Sequence, residues 1–231
     1  MTTKIYCDIA DLKLIKHYNK KKIVKGFTTN PSLMRKAGAN NYTKYSKKIL
    51  SIVKKPISFE VFADDEFNIL KQANEISKWG NNVYVKIPIT NSKGKYLLNV
   101  INKLSKNKIK LNITAVYNFK NVKKILNNIK KNSNVIISIF AGRAGDTGKD
   151  PLPELIKSIK AKKNYKNVKI LWASVREPYN YIQAKQIGCD IITIPPTIID
   201  KIEKFGKSYK KLTIETVRGF LIDSKKSKFK I

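Results

Sequence analysis

The chain has 231 residues, 42% hydrophobic and 10% aromatic, enough to bury a sizeable core. Lysine and arginine outnumber aspartate and glutamate 48 to 16, a formal charge of +32. Two cysteines in distant apolar segments (Cys7, Cys189) and the single His17 argue against a disulfide framework or a zinc site, and suit reduced thiols in a cytoplasmic protein.

Charge alone would predict binding to nucleic acid or anionic lipid. Yet the only arginines are Arg35, Arg143, Arg176 and Arg218, and base readers favour arginine for bidentate contacts. Lysine, asparagine and isoleucine are all in excess, as A- and T-rich codons would produce. The bases therefore read as a lysine-decorated enzyme surface, with no specific nucleic acid as partner. Such a surface draws in anionic substrates such as phosphorylated sugars. Met1-Thr2-Thr3-Lys4 runs straight into an apolar strand without a signal pattern, and no apolar run is long enough for a bilayer, so no membrane partner is expected.

Short apolar runs predict strands over residues 5–10, 25–29, 57–62, 83–88, 111–115, 135–141, 170–174 and 191–194. Apolar residues at helical spacing predict helices over 66–78, 94–104, 119–130 and 152–163. Asp11 reads as the cap of the first helix, Thr28 as a turn residue and Ser32 as a cap before Leu33. Successive strands lie mostly about 20 to 35 residues apart, one βα unit each. Eight units over residues 1–231 suit a single (β/α)8 TIM-type barrel better than a doubly wound sheet. An extra C-terminal helix is expected over 208–222, with 223–231 a mobile tail. Between the sixth strand and its helix, residues 142–151 form a loop rich in glycine and charge, placed on the face where barrel active sites form.

Lys86 interrupts the apolar strand Val83-Tyr84-Val85-Lys86-Ile87-Pro88-Ile89. Burial pushes an amine toward its neutral form, a nucleophile toward carbonyls. Other polar residues sit in or end the predicted strands: Asp8; Thr28, Thr29 and Asn30; Glu60; Asn112 and Thr114; Ser138; Ser174 and Arg176. Each of the first seven strands supplies at least one, and a barrel gathers them around one axis. The set holds one nucleophile and two carboxylates, but no histidine cluster for zinc or iron and no glycine fingerprint for a dinucleotide. Carbonyl chemistry by an amine remains. Tyr117 and Trp172 read as core.

Six segments carry a resemblance: Cys7-Asp8-Ile9-Ala10, Gly26-Phe27-Thr28-Thr29-Asn30-Pro31-Ser32, Phe59-Glu60-Val61, Val85-Lys86-Ile87-Pro88, Asn112-Ile113-Thr114-Ala115-Val116-Tyr117 and Ala173-Ser174-Val175-Arg176. In order and spacing over residues 5–220 the chain resembles the transaldolase family, in particular its short branch, which also contains fructose-6-phosphate aldolase. The resemblance implies metal-independent, cofactor-free class I aldol chemistry, with Lys86 forming a Schiff base with a ketose phosphate. It implies that Asp8 is the acid/base at the C4 hydroxyl, and that Glu60 and Thr114 hold a proton-relaying water. Asn30 and Asn112 would orient substrate hydroxyls, Ser138 would contact the retained three-carbon unit, and Arg143, Ser174 and Arg176 would hold phosphate. Glu60 and Phe140 stand where the transaldolase branch has glutamate and phenylalanine and the aldolases have glutamine and tyrosine, which favours transfer over release. Ile139, Ala141, the loop from Gly145 to Asp150 and Glu177-Pro178 depart from the family pattern and bear on which sugars are used. Alternatives are an aldolase releasing free dihydroxyacetone, a specialised sugar-phosphate aldolase, and a basic binding protein on an inactive barrel. By analogy with the short branch, a homo-oligomer is expected, a pentamer or decamer with the C-terminal helix on a neighbour.

Overall fold

The computed structural model describes residues 2–228. Eight parallel strands close into a barrel in sequence order. They are β1 Lys4–Asp8, β2 Val24–Thr28, β3 Ile57–Glu60, β4 Val83–Pro88, β5 Leu111–Val116, β6 Val135–Phe140, β7 Val168–Ala173 and β8 Ile191–Ile194. Closure comes from β1 against β8, Lys4 to Cys7 pairing with Ile191 to Ile194. Every strand expected from the sequence is present, shifted by one or two residues at some ends.

The described residues form eleven α-helices: α1 Leu12–Lys20, α2 Pro31–Lys36, α3 Tyr42–Ile52, α4 Glu66–Ser77, α5 Leu98–Lys106, α6 Phe119–Asn128, α7 Ala141–Gly145, α8 Leu152–Ala161, α9 Tyr179–Gln186, α10 Pro196–Ile202 and α11 Tyr209–Ser227. Asp11 caps α1 by accepting from the Leu14 N–H. Asn30, not Ser32, caps α2, because Pro31 starts that helix and Asn30 Oδ1 reaches the Leu33 N–H. The expected helix over 94–104 begins only at Leu98. Asn91 Oδ1 accepts from the N–H groups of Lys93 and Lys95 and Gly94 takes φ +79°, so the chain turns there first. Residues 142–151 are not all loop. The first four belong to α7, which follows β6 without a break.

The strand period of two sorts the side chains. One set packs outward under the helices, including Cys7, Phe27, Phe59, Val85, Ile113, Ile137 and Trp172. The other fills the barrel floor with Tyr6, Ile136, Leu171 and Ile191, with Tyr84 packed against them. Gly26 makes this floor possible: a Cβ there would meet the Tyr6 ring at 2.6 Å. One step further along the same inward rows, the residues turn polar.

Helix α11 stands apart. It runs to Ser227, so 223–227 is helical where a tail is expected; 229–231 lie outside the described residues. None of its residues is buried, and Leu212, Ile214, Val217, Phe220, Leu221 and Ile222 are exposed. No helix of the described residues is long and apolar enough to cross a membrane.

Candidate active site

The polar layer above the floor surrounds a cup of about 220 Å³ at the C-terminal ends of the strands. Lys86 comes from the middle of β4 and is 7% exposed. Its Nζ lies 2.9 Å from Glu60 Oε2 and donates to the Thr29 carbonyl at 3.1 Å. Glu60 reaches it because the two residues are register partners on β3 and β4. The Glu60 carboxylate is thus in direct contact with the buried amine.

Asp8 ends β1 on the opposite wall and accepts from Thr28 Oγ1 at 2.6 Å. With that proton committed to Asp8, Thr193 donates in the Thr28–Thr193 pair. Burial pushes the Asp8 carboxyl above the usual carboxylate range, with Lys86 and the Thr28 hydroxyl pulling the other way. A carboxyl on the cup wall, held above its ordinary value, is suited to take and return a proton.

Thr114 sits on β5 just before Ala115, whose φ of +58° marks a register shift against β6. Its Oγ1 is buried without a hydrogen-bond partner among the described residues, on the cup wall. That orphaned hydroxyl has the chemistry to hold a water. Ser138 lines the cup and donates to Asn112 Oδ1 at 2.7 Å, while Asn112 Nδ2 donates to Ser58 Oγ at 2.9 Å. Asn30 also lines the cup, its oxygen held by the cap and its amide nitrogen free of that bond.

At the mouth, Phe140 lies between Tyr117, centroids 5.8 Å apart, and the Arg143 guanidinium, 5.4 Å from the ring centroid. Ser174 lines the mouth at φ +64°, a costly conformation for serine. Arg176 lines it too, and its guanidinium grips Asp146 with Nε to Oδ1 at 3.0 Å and Nη2 to Oδ2 at 2.5 Å. Arg176 holds the Asp146 carboxyl below the usual range. Beyond them opens a larger outer chamber of about 820 Å³, lined by Tyr117, Lys149 and Glu154 and sharing Arg143 and Arg176 with the cup.

Of the residues singled out by sequence, Lys86, Asp8, Asn30, Thr114, Ser138, Phe140, Arg143, Ser174 and Arg176 converge on the cup. Glu60 and Asn112 do not line it: Glu60 touches the amine from the side, and Asn112 is fully buried beneath Ser138. Thr28, read from sequence as a turn residue, bonds Asp8. Thr193 and Ser58 were missed, though each stands at the inward parity of its strand. Tyr117, read as core, is 38% exposed on the outer chamber. No group of three or more His, Cys, Asp or Glu placed to hold a metal ion occurs among the described residues.

The barrel places the chain first in a broad class. Over its full length it superposes on a 2-keto 3-deoxygluconate aldolase from Picrophilus torridus, covering 89% of that chain, with a TM-score of 0.58 at 12% identity. It also superposes on an orotidine 5'-monophosphate decarboxylase from Metallosphaera sedula, with a TM-score of 0.55 at 11% identity over 88% of this chain and 96% of that one. At such identities the likeness is one of fold. Sequence narrows it: residues 5–231 match the family described as Transaldolase/Fructose-6-phosphate aldolase, and the chain belongs to that family. A protein named "Probable transaldolase" from Methanococcus vannielii is 35% identical, over 92% of this chain and 94% of its own. One of the same name from Thermoplasma volcanium is 36% identical, over 96% of each.

Proposed function

We propose that the protein is a class I transaldolase that moves a dihydroxyacetone unit from a ketose phosphate to an aldose phosphate through a Schiff base on Lys86. The observation that carries this is the buried Lys86 amine, 2.9 Å from the Glu60 carboxylate, facing a cup whose opposite wall holds Asp8 and whose mouth holds two arginines.

Glu60 takes a proton from the Lys86 ammonium, and the amine attacks the C2 carbonyl of the donor to give a carbinolamine. Glu60, through a water on the Thr114 hydroxyl, returns a proton to the departing oxygen, and loss of water leaves a protonated imine. Asp8 removes the C4 hydroxyl proton; the C3–C4 bond breaks, its electron pair flows to the imine nitrogen, and an aldose phosphate leaves. The enamine on Lys86 attacks the acceptor aldehyde, Asp8 returns the proton to the new alkoxide, and hydrolysis of the imine frees the product. Arg143 and Arg176 suit a phosphate because a guanidinium matches its oxygens in pairs. Asn30, Ser138 and Ser174 offer polar atoms to the sugar, and Asn112 acts by fixing Ser138. No metal or organic cofactor takes part in this scheme.

The proposal extends to the setting: a cytoplasmic enzyme with sugar-phosphate partners. The apolar residues exposed along α11 suit burial on a neighbouring copy in a pentamer or decamer.

The test is borohydride reduction in the presence of a panel of ketose phosphates, followed by peptide mass mapping. A stable adduct on the peptide containing Lys86 is expected; an unmodified position 86 with every donor overturns the reading.

A further inference from the structure

In a parallel sheet, a residue turns both its N–H and its C=O toward one neighbouring strand, and the next residue turns to the other. Along β3, Ile57 and Val61 donate toward β4, to Asn82 O and Lys86 O, each at 3.0 Å. Ser58 turns toward β2, its carbonyl accepting from the Thr29 N–H at 3.1 Å. Glu60, two residues on, faces the β2 side as well. There it finds no strand: β2 stops at Thr28, and the chain turns through Asn30 and Pro31 into α2.

Tyr42, the first residue of α3, fills that place. Its hydroxyl donates to Glu60 O at 2.9 Å and accepts from the Glu60 N–H at 3.0 Å. One phenol, being donor and acceptor at once, replaces both bonds of the missing strand. The ring is held edge-on by Phe62 at 5.3 Å and tilted against Trp79 at 6.1 Å. Burial, more than any neighbouring charge, pushes the phenol above its ordinary pKa, so it keeps its proton at working pH.

We propose that Tyr42 is a positioning residue for the reaction: by completing the edge of β3 it holds the Glu60 carboxylate against the Lys86 amine. The inference rests on the reading of Glu60 and Lys86 as a proton-transfer pair. Tyr42 does not line the cup, so its effect runs through Glu60 and not through substrate binding.

Tyr42→Phe keeps the ring packing and removes both hydrogen bonds. The expected result is a fall in kcat of about tenfold, the equivalent of one to two lost hydrogen bonds. The Michaelis constant for a phosphorylated donor should stay within about twofold, and in a Glu60→Gln background the same substitution should cost less than about twofold, since coupled residues are non-additive. Equal losses in both backgrounds, or an unchanged kcat in Tyr42→Phe alone, overturn the proposal. Full turnover in Glu60→Gln alone removes its premise, and is recognised without touching Tyr42. Should Tyr42→Phe lose its cooperative melt, Phe62→Leu takes its place in the cycle. It loosens the ring and leaves the hydroxyl; a loss that persists undiminished in the Glu60→Gln background overturns the proposal.

Discussion

The backbone of Gly142 lies so close to the carbonyl of Ser174 that a Cβ at residue 142 would stand 1.6 Å from that oxygen. This contact seats α7 on the end of β7 and brings Arg143 and Arg176 to one mouth. The two nearest atoms, the Ser174 carbonyl oxygen and carbon, are backbone, so a methyl group cannot be accommodated by a side-chain rotation. Gly142→Ala should displace α7, raise the Michaelis constant for phosphorylated donors by about tenfold or more, the scale of a lost charge-assisted bond, and leave reductive trapping of dihydroxyacetone on Lys86 intact. Arg143→Ala should split the two substrates in the same direction. Parallel kinetics with a phosphorylated donor and with dihydroxyacetone check both; equal effects would place the mouth outside phosphate binding.

Glu60→Gln keeps the shape of the side chain and removes the proton acceptor 2.9 Å from Lys86 Nζ. Borohydride should still trap the donor on Lys86, because the amine and cup remain. Transfer to an acceptor should slow by about 10²-fold, the usual range for a lost acid/base group. Single-turnover trapping measured beside steady-state transfer separates the steps, and undiminished transfer would remove Glu60 from proton relay.

Asp8 gives a prediction in pH. Its carboxyl binds a proton more tightly in the folded chain than in the unfolded one, because burial outweighs Lys86 and Thr28. The stability it contributes is therefore present below the unfolded pKa of about 3.9 and lost as pH rises through the folded value. Above the unfolded value the raised carboxyl costs stability relative to an uncharged side chain of the same shape. Asp8→Asn should melt at a higher temperature than the parent protein at pH 7, with the gap closing toward pH 4, while kcat falls by about 10²- to 10⁴-fold. Melting curves at the two pH values decide it: a lower midpoint for the variant at pH 7 contradicts the sign.

The eight strands and most of the cup were legible because both follow the inward parity of an apolar strand. A lysine at that parity, as at Lys86, is conspicuous, and so is Asp8; Ser138 is carried by the family resemblance. Thr193 and Ser58 have the same parity but were passed over, since one hydroxyl in an apolar run is compatible with a satisfied core. Nothing local distinguishes Tyr42, whose role depends on β2 ending two residues before β3 does. The pairing of Arg176 with Asp146 was hidden for a related reason: the partners lie 30 positions apart and meet only because Gly142 lets α7 dock. Parity is written in sequence; the closeness of two strand ends is a property of the closed barrel.

Phe140 bears on transfer against release. Its ring touches Tyr117 and Arg143 and presents carbon to the cup, so this part of the wall offers no hydroxyl to orient a second water toward the enamine carbon. With donor alone, the parent protein should release no more than one equivalent of aldose phosphate per site and then stop, since only an acceptor aldehyde discharges the enamine. Phe140→Tyr sets a hydroxyl at the ring edge, where it can orient a water to protonate the enamine carbon. Release of dihydroxyacetone should then become continuous and at least about tenfold faster than the parent's background. A coupled assay of aldose phosphate without acceptor makes the comparison. Steady release by the parent protein itself would mean that the apolar wall does not exclude water, and the reaction would then be an aldol cleavage and not a transfer.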